Sequence, residues 1–317
     1  MNSHETNTWL VLQDGRAGTD NQSRGLVEAM KVSHTFHALN LPFWYYWLSP
    51  QAVSNYVAER LFGSFTRPPA GIIGTGRRAS YGLLAARHQW PNIPTIQIQD
   101  PHINLNEFTY VAVPQHDNVE GKNVIQTLGS LGRVNDMTLH NARHEWQEKL
   151  SPYQKPRVAV VIGGNNKYVR LHSDWVDDVI AKCYALLDRG MSLFVTVSRR
   201  TPDILRDRLR AAFPHKNNVY FYDGVGENPY LGFLAYADYV LVTADSVNMV
   251  SEALSTRVPV ALLRMPGEGK KFTRFYDALF QLGLTHWYDG EWKITEREPL
   301  RETERVGELL REKLKLL

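Results

Sequence analysis

The sequence has a single cysteine and no long apolar run, and both shortages limit the kind of protein it encodes. Cys183 is alone among 317 residues, which excludes an internal disulfide and a cysteine-based metal site and fits a reducing compartment. No run approaches the ~18 consecutive apolar residues of a transmembrane helix. The polar segment Met1–Asn7 lacks the basic and apolar regions of a signal peptide. We therefore expect a soluble, cytoplasmic protein, and peripheral attachment to the inner face of a membrane stays open.

The sequence also has no large excess of positive or negative residues. Lys and Arg total 36, against 33 for Asp and Glu. This balance is too even to indicate nucleic-acid binding, which usually needs a strongly basic surface. We expect no nucleic-acid partner.

Several motifs of well-known catalytic sites are absent. The sequence has no G-x-S-x-G nucleophile elbow and no H-E-x-x-H zinc motif. Gly163-Gly164 follows an apolar run, but it matches neither the G-x-G-x-x-G dinucleotide pattern nor the Lys-bearing P-loop. A nucleotide-sugar epimerase that uses a Tyr-x-x-x-Lys pair is disfavoured, because no such pair lies in a convincing context. The sequence therefore predicts no metal site and no resident cofactor.

Short apolar runs alternate with helical patterns along the chain. Five such runs lie in the first half and five in the second; the first is Trp9–Gln13 and the last is Pro259–Leu263. Strands that alternate with helices predict parallel sheets with right-handed crossovers. The Pro-bearing segment Arg143–Pro156, between the two series, is typical of a linker. The predicted fold is α/β, with two Rossmann-like domains at residues 1–150 and 151–317.

The loops that follow the predicted strands are the place to search for a site, because ligands bind at the carboxyl ends of parallel strands. In the first domain, these loops carry four candidate general bases, namely Asp14, Asp20, Asp100 and His102. Each of the four could equally be a helix cap or a turn residue.

In the second domain, two adjacent arginines precede a predicted helix. Ser198-Arg199-Arg200 lies just before Pro202, which suits the first position of a helix. Guanidinium groups pair bidentately with phosphate oxygens, so these residues could clamp a diphosphate. A capped helix start with two solvated arginines is the alternative.

Seven motifs together resemble the mitochondrial-fission "elongated mitochondria" family and its bacterial relatives. They run from residue 14 to residue 275 and read DGRAGTDNQSRGL, GTGRRAS, QDPHINLNEF, SRRTP, ENPY, TADSVNMVSEAL and KFTRF. The resemblance implies a divergent branch of the GT-B glycosyltransferases, in which two Rossmann-like domains face each other across a cleft. Plant members of the family are associated with recruitment of a dynamin-related protein to the mitochondrial surface.

The same resemblance gives residues 242–254, VTADSVNMVSEAL, a nucleotide-binding role. The end of this segment matches lipid-acceptor GT-B enzymes, in which the acid, here Glu252, binds the ribose hydroxyls. Helix capping does not explain an acid at position 252, so Glu252 is the leading candidate for a nucleotide-binding residue. The other predicted nucleotide- or diphosphate-binding residues are Gly163, Gly164, Asn165, Ser198, Arg199, Arg200, Asn228, Ser246 and Asn248. A donor-sugar contact is predicted for Lys270 and Lys271. Asp245 is interpreted mainly as a helix cap, with a donor-sugar contact as a second role.

Two apolar segments leave packing and membrane contact as alternatives. The adjacent aromatic residues Trp44 to Trp47 favour core or interdomain packing, but Trp and Tyr also suit membrane interfaces. The C-terminal segment Glu298–Leu317 places Val306, Leu310 and further leucines on one helical face. Such a helix usually packs on its own domain, and binding to a membrane surface is the alternative.

The leading hypothesis is a metal-independent, GT-B-like glycosyltransferase. It would bind a nucleotide-sugar, UDP-linked, in the second domain and transfer the sugar to an acceptor, such as a lipid-linked one, held by first-domain loops. The alternative is a non-catalytic interaction protein of the mitochondrial-fission type, which would bind a protein partner and keep the fold as a scaffold.

Overall fold

The structure, a computed structural model, describes residues 8–41, 55–213, 218–267, 270–291 and 297–316. Contacts divide the chain into two units: unit 1 is Met1–Arg133 with Arg301–Leu317, and unit 2 is Val134–Leu300. The aromatic segment Trp44 to Trp47 lies outside the described residues.

Unit 1 contains one parallel sheet with helices between its strands. Its elements are β1 (Trp9–Gln13), α1 (Ala17–Ala29), β2 (His34–Ala38), α2 (Asn55–Phe62), β3 (Gly71–Thr75), α3 (Gly76–Gln89), β4 (Thr95–Ile98), β5 (Tyr110–Pro114) and β6 (Val124–Thr127). The strand order is β2-β1-β3-β4-β5-β6. Strands β3 and β4 are buried along their whole length, which is why their sequences are nearly continuous apolar runs.

Unit 2 repeats this architecture with a second parallel sheet. Its elements are α4 (Asp136–Glu145), α5 (Gln147–Leu150), β7 (Arg157–Ile162), α6 (Ser173–Asp188), β8 (Ser192–Val197), α7 (Asp203–Ala212), β9 (Val219–Tyr222), α8 (Tyr230–Tyr236), β10 (Tyr239–Thr243), α9 (Val247–Leu254), β11 (Val260–Leu263), α10 (Lys270–Gln281) and β12 (His286–Trp287). The strand order is β12-β11-β10-β7-β8-β9. The α/β class with two Rossmann-like sheets is therefore confirmed. Strands β6 and β12, both short and at sheet edges, are additions to the predicted set.

The segment 134–150 belongs with unit 2, whereas the sequence placed it in the first domain. Trp146 is buried and packs on α8, where a Cβ at Gly232 would lie 2.6 Å from the Trp146 ring. Tyr236 of α8 donates its hydroxyl to the Arg143 carbonyl at 3.0 Å, and the Arg143 guanidinium lies over the Tyr236 ring. These contacts move the boundary from residue 150 to residue 133, since α4 needs the surface of α8 to bury its apolar side.

The C-terminal helix α11 (Glu302–Lys313) packs in unit 1, although the sequence assigned it to the second domain. Val306 and Leu310 are fully buried in a cluster that includes Leu26 of α1. A Cβ at Gly307 would lie 2.7 Å from the Cβ of Ala29, so the two helices approach closely. The apolar stripe of α11 is therefore covered by protein, which favours packing over membrane contact for this helix. No described helix is both long enough and apolar enough to cross a bilayer.

Candidate functional site

The carboxyl ends of β7 and β10 lie side by side within the sheet of unit 2. The two strands are parallel neighbours, with Val242 opposite Val161. From β7 the chain continues to β8 on one side, and from β10 it continues to β11 on the other. Ligands of doubly wound sheets bind at such a switch point. The loops that begin at Gly163 and Ala244 are therefore the natural place for a ligand.

A buried carboxylate, that of Asp245, joins these two loops. Its Oδ2 accepts from the Gly164 N–H at 3.1 Å and from the Arg200 guanidinium at 2.8 Å. Its Oδ1 accepts from the Thr243 hydroxyl at 2.6 Å, and that hydroxyl oxygen accepts from the Gly163 N–H at 2.7 Å. Burial raises the pKa of Asp245, while its hydrogen bonds and Arg200 oppose the rise. Asp245 therefore clamps the β7 and β10 loops together.

The two glycines after β7 make room for this clamp. A Cβ at Gly163 would lie 1.9 Å from Asp245 Oδ1, and a Cβ at Gly164 would lie 2.1 Å from the Arg200 carbonyl carbon. Any larger residue would force the clamp apart. Both glycine N–H groups also donate to side chains of the β10 segment. The structure thus gives Gly163 and Gly164 a packing role, and their N–H groups are already engaged within the protein.

The cap of α9 is Ser246, and the interpretation of Asp245 as that cap is wrong. The Ser246 hydroxyl accepts from the Met249 N–H at 3.4 Å. Asp245, one residue earlier, is drawn instead toward the β7 loop by Gly164 and Arg200. The start of α9 therefore lies next to the clamp.

The predicted diphosphate clamp contains one engaged arginine and one exposed arginine. Ser198 Oγ accepts from the Arg200 N–H at 3.1 Å and shapes the turn. The Arg200 side chain is 42% exposed, but its guanidinium is paired with the fully buried carboxylate of Asp245. Arg199 is exposed and forms no ion pair with any described residue. Arg199 therefore shares its charge with no acid of the described residues, whereas Arg200 shares its charge with Asp245.

Two asparagines hold the rest of the β7 loop. Asn165 Oδ1 accepts from the Leu171 N–H at 2.8 Å. Asn166, which the sequence analysis did not single out, accepts from the Val169 N–H at 2.9 Å and donates to the Asp245 carbonyl at 3.0 Å. Asn165 was predicted to bind nucleotide; in the structure its carbonyl oxygen stabilises the loop.

Glu252 pairs with a tyrosine that the sequence analysis missed. The Tyr230 hydroxyl donates to Glu252 Oε2 at 2.9 Å, and no described residue donates to Oε1. Tyr230 is the first residue of α8, and its N–H donates to Asn228 Oδ1 at 3.0 Å. The contact brings together the ENPY and SEAL motifs, which is the signal that could have identified Tyr230. One oxygen of Glu252 is thus fixed, and the other is available to a ligand.

The carboxyl group of Glu252 changes its protonation state near neutral pH. Burial raises the pKa of Glu252 to about 7, although the hydrogen bond from Tyr230 acts in the opposite direction. Burial and the adjacent Glu252 carboxylate together raise the pKa of Tyr230, which stays a donor. Tyr230 therefore keeps its proton and donates it to the Glu252 carboxylate.

The remaining predicted residues of unit 2 lie near these elements. Asn228 is exposed at the start of α8, and Asn248 is partly buried in the first turn of α9. Lys270 and Lys271 begin α10, but their side chains lie outside the described residues.

In unit 1, Asp14 and Asp20 organise the start of α1. Asp14 Oδ1 accepts from the Thr19 hydroxyl at 2.6 Å and from the Arg16 N–H at 3.1 Å. Asp20 Oδ1 accepts from the Asp14 N–H at 3.1 Å, and burial raises the pKa of Asp20. Neither side chain caps α1, whose N-cap is Arg16, so the structure favours the turn-residue interpretation for both residues.

The partly buried Asp100 and the exposed His102 form a pair after β4. His102 Nδ1 lies 2.9 Å from Asp100 Oδ2, and the His102 side chain is 73% exposed. Asp100 Oδ1 also accepts from the His102 N–H at 2.7 Å, with His102 at a φ of 56°. A carboxylate that holds one ring nitrogen of an exposed imidazole leaves the other nitrogen able to take a proton.

A buried polar network lies at the carboxyl ends of the unit 1 strands, and the sequence analysis missed it. The hydroxyls of Ser23 and Thr75 lie 2.6 Å apart. Ser80 donates to Gln97 Oε1 at 3.2 Å, and Gln97 Nε2 donates to the Ile98 carbonyl at 2.8 Å. Gln97 inside the apolar strand TIQI was the available signal. Among the described residues of the whole chain, no group of three or more His, Cys, Asp or Glu side chains could hold a metal ion.

Comparison with known proteins identifies the family of this chain. The model of the family described as Mitochondrial fission ELM1 matches residues 17–314. The chain belongs to this family. An uncharacterized protein, RP120, from Rickettsia prowazekii is 26% identical, over 98% of this chain and 99% of its own length. The Mitochondrial fission protein ELM1 of Arabidopsis thaliana is 27% identical, over 78% of this chain and 64% of its own length.

Solved structures similar to this ELM1-family chain share its fold. A UDP-N-acetylglucosamine 2-epimerase described as putative, from Listeria monocytogenes, has a TM-score of 0.59 at 11% identity, and the match covers 97% of this chain and 96% of that one. MurG of Acinetobacter baumannii has a TM-score of 0.55 at 12% identity, covering 96% and 99%. The UDP-GlcNAc 2-epimerase of Neisseria meningitidis, solved with UDP-GlcNAc bound, has a TM-score of 0.54 at 14% identity, covering 97% and 99%. These similarities establish a GT-B-like fold.

Proposed function

We propose that unit 2 binds the nucleoside diphosphate of a UDP-sugar. The observation that carries this proposal is the Glu252–Tyr230 pair, in which one carboxylate oxygen is fixed at 2.9 Å and the other is unused by the described residues. An ionised carboxylate oxygen accepts hydrogen bonds from both hydroxyls of a ribose. The Tyr230 bond holds Glu252 in one orientation, so less conformational entropy is lost when the ribose binds.

The neighbouring loops supply what a diphosphate needs. The first turn of α9 presents backbone N–H groups and the positive end of a helix dipole, which suit an anion. Arg199 adds an exposed positive charge. Arg200 shares its charge with buried Asp245, so that acid is not a net repulsive charge beside a phosphate.

The proposed reaction is transfer of the sugar to an acceptor hydroxyl. The acceptor oxygen forms a bond to the anomeric carbon while the bond from that carbon to the diphosphate oxygen breaks. The leaving diphosphate keeps the electron pair, stabilised by Arg199 and the start of α9. The acceptor hydroxyl gives up its proton to water as its oxygen forms the new bond.

Nucleotide binding is tested by thermal unfolding and calorimetric titration with UDP, UDP-glucose and UDP-GlcNAc. We expect a rise in melting temperature with at least one of them, and loss of this rise in Glu252→Ala. Glu227→Ala is the matched control, because Glu227 is an exposed acid of the same unit whose pair with Lys149 stabilises little. No shift at millimolar concentrations across a full panel of nucleotides and nucleotide-sugars would refute the proposal.

Membership of the ELM1 family favours a second candidate, a non-catalytic interaction protein. In that case a partner protein binds to a surface that does not involve Glu252, Arg199 or Arg200. Affinity capture with the wild-type chain and with these three substitutions separates the two candidates. Capture that survives the substitutions supports a scaffold, and capture that is lost with them ties the partner to the nucleotide site.

A further inference from the structure

Strand β2 forms one edge of the unit 1 sheet, and no strand among the described residues lies on its outer side. On its inner side it is parallel to β1. The Trp9 N–H donates to the Ser33 carbonyl at 2.8 Å, and the Leu39 N–H donates to the Gln13 carbonyl at 2.8 Å. Because alternate residues of a parallel strand bond to the same neighbour, the odd-numbered residues from 33 to 39 bond to β1.

The even-numbered residues of β2 therefore direct their backbone groups away from the sheet. They are His34, Phe36 and Ala38, and no described residue accepts from their N–H groups. The Ala38 carbonyl accepts from the Asn40 N–H at 3.0 Å, whereas no described backbone N–H donates to the carbonyls of His34 and Phe36. Such a row of unused donors and acceptors is a template for pairing with another strand.

The opposite edge of the same sheet, β6, is covered. The Val111 N–H of β5 donates to the Asn123 carbonyl at 3.0 Å, so the odd-numbered residues of β6 face β5 and the Gln126 carbonyl points outward. Arg305 of α11 donates to that carbonyl at 2.7 Å. Unit 1 thus blocks one of its sheet edges with a helix, as natural proteins usually do, and leaves β2 without such cover from the described residues.

The side chains of β2 offer contacts on both faces of the sheet. On the α1 face, the Phe36 ring is 42% exposed and is held by the Arg24 guanidinium, 4.4 Å from its centroid. On the other face, a pocket of about 340 Å³ is lined by Thr35 of β2, Leu10 of β1 and the loop 64–69. Because side chains alternate between the two faces, a strand paired with β2 would place one set against Phe36 and the other set beside the pocket.

The surroundings of this edge are basic. Four basic residues flank β2, one before it, one beyond its end and one on each face; they are Lys31, Arg60, Arg24 and Arg67. The position of Arg60 is fixed by its Nε, which donates to the Asn40 carbonyl at 3.1 Å. Of the acids on α1 and α2, Glu28 is paired with Arg133, and Asp20 and Glu59 offset part of the charge. The edge therefore has a net positive charge.

We propose that β2 is a docking site for an extended acidic segment of a partner protein, which adds a strand to the unit 1 sheet. Main-chain hydrogen bonds to the outward groups of β2 supply affinity. An apolar side chain of the segment enters the pocket beside Thr35, another packs on Phe36, and its acids meet the four basic residues. Two copies of this basic edge repel each other, which disfavours pairing of β2 with a second copy of the chain. The site is separate from Glu252 and does not depend on nucleotide binding.

Selection of short random peptides from a displayed library, against the full chain, tests the chemistry of the partner. We expect the selected peptides to be rich in Asp and Glu, with apolar residues at alternate positions, and to bind more weakly as the salt concentration rises. Selected peptides that are neutral or basic, or the failure of any peptide to be enriched, would overturn the proposal.

Amide hydrogen exchange in the full chain tests where the best selected peptide binds. In the free protein, the N–H groups of His34, Phe36 and Ala38 should exchange faster than those of Thr35 and His37, which face β1. The peptide should slow exchange of the first three by roughly tenfold or more and leave the other two nearly unchanged. Protection that falls outside β2, or that does not alternate along it, would contradict strand addition.

Phe36→Pro removes an outward N–H without breaking a bond to β1, and proline is tolerated at such positions of edge strands. We expect it to weaken peptide binding by roughly tenfold or more. Phe221→Pro is the matched control: the Leu193 N–H donates to the Asn218 carbonyl at 2.8 Å, so the Phe221 N–H also points outward, from the edge strand β9 of unit 2. This control and Glu252→Ala should bind the peptide as the wild type does.

A peptide that is N-methylated at alternate residues, in either of the two registers, provides a measurement that needs no variant to fold. One of the two methylated forms should lose binding to the wild-type protein, because its main-chain donors are blocked. Unchanged binding of both forms, or an equal loss in Phe36→Pro and Phe221→Pro, would overturn the proposal. A wild-type dimer in sedimentation that Phe36→Pro dissociates would also overturn it and assign this edge to a second copy of the chain.

Discussion

Replacing Glu252 by Gln changes the response of unit 2 to pH. Burial raises the pKa of Glu252 to about 7 from an ordinary value of 4.5. Because folding raises this pKa, the protonated carboxyl stabilises the folded protein. That contribution is complete below pH 4.5 and is lost as the pH rises through about 7. The amide side chain of the Glu252→Gln variant has no such proton, and its oxygen still accepts the hydrogen bond from Tyr230.

The size of the effect follows from the two pKa values. At about 1.4 kcal/mol per pKa unit, the wild type loses at most about 3 kcal/mol of unfolding free energy between pH 4.5 and pH 8 through this group. Glu252 keeps part of its surface exposed, so solvent screening lowers the expected loss to about 2 kcal/mol. Glu252→Gln should therefore gain stability relative to the wild type as the pH rises, by that amount.

Urea unfolding of both proteins at several pH values between 4.5 and 8.5 measures this difference. Every other titrating group is present in both proteins, so its contribution cancels in the subtraction. Because the chain has two units, amide hydrogen exchange in α8 and α9 should accompany the global measurement. A constant difference for Glu252→Gln across the same range would refute the argument that Glu252 is held in a desolvated environment.

Three further predictions concern residues other than Glu252. Gly163→Ala should destabilise unit 2 by about 1–3 kcal/mol in urea unfolding, because the new Cβ would lie 1.9 Å from the Asp245 carboxylate. The double variant with Asp245→Ala should lose less stability than the sum of the two single variants, and strict additivity would argue against the clash. Burial raises the pKa of Cys183 to about 12, so its thiol should resist alkylation at pH 8 in the native state and react in urea; rapid native labelling would contradict its burial. Gly307→Leu should destabilise unit 1 rather than unit 2, because a Cβ at Gly307 would lie 2.7 Å from the Cβ of Ala29. Amide hydrogen exchange in α1 and in α8 measures the two units separately. Equal protection of α1 in the variant and the wild type would count against this packing.

The alternation of apolar runs and helical patterns was sufficient to predict the fold, because buried parallel strands need nearly continuous apolar residues. The strands β3 and β7 read GIIGT and RVAVVI and are buried throughout. The domain boundary was harder to predict. Whether 134–150 and α11 pack on one sheet or the other depends on long-range surfaces, such as the fit of Trp146 over Gly232, and no local pattern encodes these.

The sequence located the loops at the carboxyl ends of the strands, but it did not reveal the partners of each side chain. Glu252 was singled out because a helix cap does not need an acid two turns into α9. Asp245 was misinterpreted, because a carboxylate just before a helix is usually a cap, and only the tertiary structure shows Gly164, Thr243 and Arg200 around it. Tyr230 was missed for the same reason, since it lies 22 residues from Glu252.

Unused hydrogen-bonding capacity separates the groups that build the site from those that face a ligand. Asp245 uses both of its oxygens on Gly164, Arg200 and Thr243, so it serves as a support. Glu252 Oε1 accepts from no donor among the described residues. Asp245 thereby holds the β7 loop against the end of β10. Loss of Asp245 should therefore weaken nucleotide binding indirectly, by loosening the β7 loop, whereas loss of Glu252 should remove the proposed contact with the ribose itself.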